Sequence, residues 1–305
     1  MNLEYPNGFD DKLNDEIDPD LQPTEPLAPL DPVRNDAVQP VINTLAYSLE
    51  CGVSSKIGSR SVQQDAARVE DTLQYLQHGK LLAMMCDGMG GMNGGELASA
   101  LCINKMFREY QTKGVNGNIP LFFHKLAEEI DDAVYNLTDE EGESLNAGST
   151  LTAVIIDNNL LYWVSVGDSR IYLKRGDEIV SVTVDHNYRM LLEEKVQNGY
   201  ITREEADSDP NREALVSYMG VGGIQYIDLN PYPVELIDGD CVLLCSDGLY
   251  RTLEKDEILT IIDCFPDASS AAEALTEAAV SKGRRNQDNT TAVLIRFHDN
   301  SNTSE

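Results

Sequence analysis

Between residues 151 and 184 four apolar runs follow one another with three residues between each. They are LTAVII (151–156), LLYWVSV (160–166), RIYLK (170–174) and EIVSVTV (178–184). The links are Asp157-Asn158-Asn159, Gly167-Asp168-Ser169 and Arg175-Gly176-Asp177, rich in turn-forming residues. So short a link can only return the chain antiparallel, because a parallel neighbour needs a crossover of about a dozen residues or more. The spacing predicts an antiparallel meander and excludes alternating βαβ units here.

Helical patterns flank the meander. GELASALCINKMFREY (95–110) places Leu97, Leu101 and Met106 at helical spacing with Ala98 and Cys102. IPLFFHKLAEEIDDAV (119–134) repeats Phe122, Leu126, Ile130 and Val134 every four residues, with Pro120 in its first turn. Further helices are expected at 189–199, 254–262 and 268–282, and a last strand at 291–297. Between them, 187–222 reads as an inserted flap, with a Thr202-x-x-Glu205 capping box and a polar loop through Pro210 and Gly220. A meander with flanking helices argues for a layered α+β domain.

Charge narrows the function. Lys plus Arg number 23 against 52 Asp plus Glu, a net charge of −29. That opposes non-specific binding to nucleic acid, which needs basic surface, and docking on anionic lipid. No apolar stretch is long enough to span a membrane, and the acidic first residues lack the apolar core of a signal peptide. The six cysteines form no CxxC pair and sit mostly inside apolar runs. Buried free thiols and a cytoplasmic, reducing location are expected. Residues 1–40 hold seven of the 12 prolines, and ten acids against two bases leave them a net charge of −8. The segment 1–42 is therefore read as a disordered, acidic, Pro-rich tail, with the folded domain at 43–299 and a disordered end at 300–305.

The acids sit where strands end. Asp87, Asp247 and Asp288 each border an apolar run, in MCDGMGG, LCSDGLY and NQDNTTAVLI. Asp65 lies in GSRSVQQDAARV and Asp168 in VSVGDSR. One Asp-Gly is an ordinary turn. Several, gathered at one end of a sheet, would raise each other's pKa unless cations balanced them. Carboxylate oxygens select hard ions, Mg²⁺ or Mn²⁺. Asp65, Asp87, Asp247 and Asp288 carry four negative charges, which two divalent ions balance. Two ions about 3.5–4 Å apart can share a water, lower its pKa and direct the resulting hydroxide at a phosphorus. Gly88, Gly90 and Gly91 allow close backbone approach and a free carbonyl ligand, and Arg60 could clamp a phosphate with two hydrogen bonds.

In this order, GSRSVQQD (58–65), CDGMGGMNGGELAS (86–99), GSTLTAVII (148–156), VSVGDSRIYL (164–173), TVDHN (183–187), CSDGLY (245–250) and NQDNTTAVLI (286–295) resemble the metal-dependent Ser/Thr protein phosphatases of type 2C, especially the compact bacterial form. The resemblance covers nearly all of 46–298. It implies a four-layer α-β-β-α sandwich of two antiparallel sheets flanked by helix pairs, with metals at one end. It implies Asp87 as bridging ligand, the Gly88 carbonyl on one ion, Asp247 and Asp288 on the other side of the pair, and Asp65 holding metal-bound water. It further implies Asp168 on a third, weaker ion, Arg60 on the substrate phosphate, and phosphoproteins made by a Ser/Thr kinase as partners of a monomeric enzyme.

The chain departs from the family pattern at three places. Gln64 stands where many members carry Glu, and Met89 replaces the histidine that eukaryotic members use as general acid. His186 is a candidate substitute, though a His beside an Asp at a strand end is more often structural. Ser217 holds a flap position where arginine is common. The alternatives are a non-catalytic phosphoprotein-binding regulator with the same fold and a hydrolase of small phosphoesters.

Overall fold

The computed structural model describes residues 40–300 apart from 45, 92, 93, 116, 140, 284 and 285. In chain order the first elements are β1 (Val41–Asn43), β2 (Tyr47–Lys56), β3 (Asp65–Val69), α1 (Thr72–His78), β4 (Lys80–Met89), α2 (Gly94–Lys113) and α3 (Ile119–Tyr135). Then come β5 (Gly148–Ser149), β6 (Leu151–Asp157), β7 (Leu160–Val166), β8 (Arg170–Arg175), β9 (Glu178–Ser181), α4 (Tyr188–Gln197) and α5 (Arg203–Ser208). The last are β10 (Asp228–Leu229), β11 (Val234–Glu235), β12 (Cys241–Cys245), α6 (Asp247–Tyr250), α7 (Lys255–Cys264), α8 (Ala268–Lys282) and β13 (Thr290–Asp299).

Two antiparallel sheets result. One has the order β1-β2-β13-β12-β8-β9; the other runs β10-β7-β6-β4-β3, with β11 on β7 and β5 on β4. Alternation along β4 explains its unbroken apolar sequence. Leu81, Ala83 and Met85 face the other sheet and pack with Val242, Leu244, Val293 and Ile295. Leu82, Met84 and Cys86 face the opposite way, onto Cys102 and Met106 of α2 and Phe123 and Ile130 of α3. On the far side Cys241, Leu243 and Cys245 of β12 meet Ile258 and Ile262 of α7 and Leu275 of α8. Both sheets are thus covered on both faces, which is the four-layer α-β-β-α arrangement. Each fully buried Leu, Met or Ile contributes about 1.5–3 kcal/mol.

The meander reading needs one correction. β6 pairs with β7 and β8 pairs with β9, as expected, but β7 and β8 lie in different sheets. Gly167-Asp168-Ser169 is not a hairpin turn; it carries the chain from one sheet to the other. A three-residue link satisfies either geometry, and burial decides. β7 buries Val164 and Val166 against α2 and α3, while Ile171 and Leu173 of β8 fill the space between the sheets. Three boundaries also shift. β9 stops at Ser181, because Thr183 Oγ1 turns back to accept from the Ile171 N–H at 3.1 Å. β4 runs on through Asp87 and Gly88 rather than ending before them. β1 begins at Val41 and buries Ile42, inside the segment read as tail, and Asn300 donates to Ala46 O at 2.9 Å. The rest of the tail reading, and that of 301–305, lies outside the described residues.

The flap 187–222 holds α4 and α5. Its base is closed by a bridge between Asn187 and Leu215, and Met219 ties it to the rest of the fold by a bridge to Ser149. The capping box forms, Thr202 N–H donating to Glu205 Oε2 at 2.8 Å. Asp131, buried on α3, accepts from the N–H groups of Gly220 (2.6 Å), Val221 (3.0 Å) and Gly223 (2.7 Å). The glycine-rich loop is therefore a nest filled by the protein's own carboxylate.

Candidate metal centre

The site is built on the β3–β4 register, which sets Asp65 directly opposite Asp87. Opposed residues project from the same face, and like charges so placed repel. Asp87 is further fixed by Thr150, whose Oγ1 accepts its N–H at 2.9 Å and whose N–H donates to its carbonyl at 2.8 Å. Asp247 opens α6 immediately after β12. Ser246, between them, donates through Oγ to Asp65 Oδ2 at 2.9 Å. Asp288 precedes β13, and Asp168 lies in the sheet-to-sheet crossing.

Two close approaches need glycine. A Cβ on Gly88 would come within 2.1 Å of the Gly95 carbonyl in α2, and one on Gly248 within 2.1 Å of the Asn289 carbonyl. Larger residues would push α2 and the β13 lead-in away from the acids. Asn289 ties the Arg60 loop in place. Its Oδ1 accepts from Gln64 N–H at 2.8 Å, and its Nδ2 donates to Ile57 O (2.9 Å) and Val62 O (3.1 Å). Gln287 does the same for α6, donating from Nε2 to Gly248 O at 2.8 Å. Sequence reasoning named Asp288 but not these two neighbours; their amides beside a site acid were the available signal.

The electrostatics are those of crowded acids. Burial, then the charges of Asp65, Asp247, Asp168 and Asp288, pushes Asp87 well above the usual carboxylate range. Burial raises Asp65 to about 6 against the hydrogen bonds that hold its charged form. Burial also raises Asp247 to about 7, with Asp168, Asp288 and Asp65 adding to it and Arg251 opposing. Asp168 is raised by burial and held back by Arg251. Each of these acids except Asp168 is also raised by the charge of Asp288.

Two arginines supply part of the missing positive charge. Arg60, half exposed, sets Nη2 2.5 Å from Asp288 Oδ2. Arg251 reaches Asp168 Oδ2 at 2.8 Å and Asp247 Oδ2 at 3.1 Å. Sequence reasoning missed Arg251, although its place four residues after Asp247 was a local signal. Among the described residues no three acid, His or Cys side chains are already gathered as one ion's ligand set. The donor chemistry nevertheless fits hard divalent ions. Asp65 Oδ1 and Asp247 Oδ1 are buried without a hydrogen-bond partner, and the acids that raise Asp87 are all carboxylates. Mg²⁺ keeps several waters and needs only one or two carboxylates per ion.

The departures resolve structurally. His186 is buried, its Nδ1 accepting from Gly167 N–H at 3.2 Å, and burial lowers it to about 4. A neutral, occupied imidazole is no proton donor to a leaving group. Ser217 is fully buried and donates to Tyr226 O at 2.9 Å, so it pins the chain after the flap. Gln64 donates to Gly90 O at 3.1 Å.

Residues 53–281 match the sequence profile of the family described as protein phosphatase 2C. The serine/threonine phosphatase stp of Listeria innocua is 28% identical over 217 residues, 70% of this chain and 83% of the relative. The serine/threonine phosphatase of S. agalactiae superposes with a TM-score of 0.69 at 26% identity, over 81% of this chain and 99% of its own. The catalytic domain of the serine/threonine protein phosphatase PstP, solved in complex with two manganese ions, gives 0.65 at 27% identity over 83% and 100%. The chain belongs to the protein phosphatase 2C family. It is a phosphoprotein phosphatase of the bacterial type within that family. Among the described residues no helix is long and apolar enough to cross a membrane, and all six cysteines are free, Cys264 alone being exposed.

Proposed function

We propose that this chain hydrolyses phosphoserine and phosphothreonine in proteins at a dinuclear Mg²⁺ or Mn²⁺ centre held by Asp87, the Gly88 carbonyl, Asp247 and Asp288, with Asp65 acting through water. The observation that carries the reading is the gathering of Asp65, Asp87, Asp247 and Asp288 from β3, β4, α6 and the β13 lead-in, close enough that burial and neighbouring charges raise the first three, around partnerless oxygens of Asp65 and Asp247. Such a cluster is costly without cations and becomes favourable with them. The manganese-bound PstP relative supports the choice of ion. When bound, the two ions supply an activated water and take up charge on the phosphoryl oxygens.

The chain's own residues do the rest. Asp65, fixed by Ser246, is placed to orient a water beside Asp87 and accept its proton. Arg60 lies beside Asp288, Nη2 to Oδ2 at 2.5 Å, where its half-exposed guanidinium would bind the substrate phosphate. With His186 bonded to Gly167 and Met89 at the position of the family's histidine, water is left to protonate the leaving oxygen.

The test is hydrolysis of a phosphothreonine peptide with and without Mn²⁺. Asp87→Asn and Asp247→Asn should each abolish turnover while circular dichroism stays unchanged. Full activity in both variants refutes the mechanism.

A further inference from the structure

A second cation, besides Arg60, already borders the acid cluster. Arg251 follows α6 directly, and its N–H donates to Asp247 O at 2.9 Å, which fixes its backbone one turn beyond that acid. From there Nε lies 3.1 Å from Asp247 Oδ2, and Nη2 lies 2.8 Å from Asp168 Oδ2. The same Nη2 is 3.7 Å from Glu213 Oε2 in the flap. Glu213 also accepts from the flap's Arg189 and Arg212. The next acid along, Asp185, is already taken by Arg170, at 2.9 and 2.7 Å. Asp168 is 5% exposed, so its charge has little water to fall back on.

A planar fork that joins buried carboxylates from two elements does what a shared divalent ion would do there. We propose that Arg251 replaces a third metal ion: it occupies Asp168, leaves the centre with two ions, and links α6 to the flap through Glu213. The proposal rests on the metal-centre reading above. Charge agrees with it. Two divalent ions balance Asp65, Asp87, Asp247 and Asp288, and the Arg251 guanidinium balances Asp168 without a third ion.

The experiment counts Mn²⁺ bound per full-length chain, by calorimetric titration and by elemental analysis at equilibrium. Wild type should bind two ions, and Asp168→Ala should bind two with unchanged affinity. Arg251→Ala should gain a third, weaker ion, which Asp168→Ala in the same chain removes. Arg251→Gln, which keeps the side chain's bulk and drops its charge, repeats the measurement should the alanine variant not fold. A third ion in wild type that Asp168→Ala removes overturns the proposal, as does a count of two in both Arg251 variants. A wild-type chain that binds no Mn²⁺ overturns the metal-centre reading itself.

Discussion

Asp65, buried, and Asp87, partly buried, stand face to face across two neighbouring strands, with one oxygen of Asp65 bonded to Ser246 and the other partnerless. A sheet designed only for stability would not place two acids there. The metal-free protein should therefore be strained at this pair, and Asp87→Asn should relieve it. Its melting temperature in EDTA is expected to exceed that of wild type by several degrees, for a gain of about 1–2 kcal/mol. Mn²⁺ should then raise the wild type's melting temperature and leave the variant's almost unmoved. A variant less stable than wild type in EDTA contradicts this.

The same strain has a pH signature. Asp247 titrates near 7 and Asp65 near 6 in the folded chain, both raised from 3.8. Between those values the native state holds more protons than the unfolded chain, so their contribution to stability falls as pH rises through the window. His186, lowered to about 4, acts oppositely below about 6.5 and would blur a simple pH scan. The cleaner measurement is Asp247→Asn against wild type in EDTA. The variant should melt higher at about pH 8, and its advantage should shrink steadily toward about pH 4, where the unfolded acid also becomes neutral. An advantage that grows toward acid pH reverses the sign and rules out the explanation.

Arg60 tests the phosphate role without dismantling the centre. Arg60→Ala should raise KM for a phosphopeptide about tenfold with a much smaller change in kcat, the loss of one charge-assisted contact. A pure kcat effect would assign the residue to Asp288 instead.

Asp131 lies far along the chain from the acids yet holds the loop that closes the flap. Asp131→Ala strips the acceptor from three N–H groups and should cost about 2–4 kcal/mol in urea unfolding. Limited proteolysis should cut first between residues 198 and 223. Unaltered cleavage there would show that the flap is held by its bridges at Asn187 and Met219 alone.

Much of this was legible in the residues, for a physical reason. An apolar run such as LLAMMC reads clearly because both of its faces are buried, and the Asp that follows stands out against it. The helices read well where one face alone packs, although Leu97 proved 37% exposed. The crossing at Gly167–Ser169 did not read, because three turn residues describe a hairpin and a change of sheet equally well. Arg251 could have been read as a partner of Asp247, four residues before it, but its reach to Asp168 could not, because that acid is distant in sequence. Asp131 could have been found: it lies four residues after Ala127, on the buried face of α3, where an unpaired acid demands an acceptor role.

The three residues that pass from slab to slab include Asp168 itself. Sliding one slab over its neighbour would drag that acid off Arg251 before either hydrophobic layer came apart. That contact should then be lost ahead of the main thermal transition, which makes the Asp168–Arg251 pair a gauge of how firmly the two halves of the sandwich are clasped.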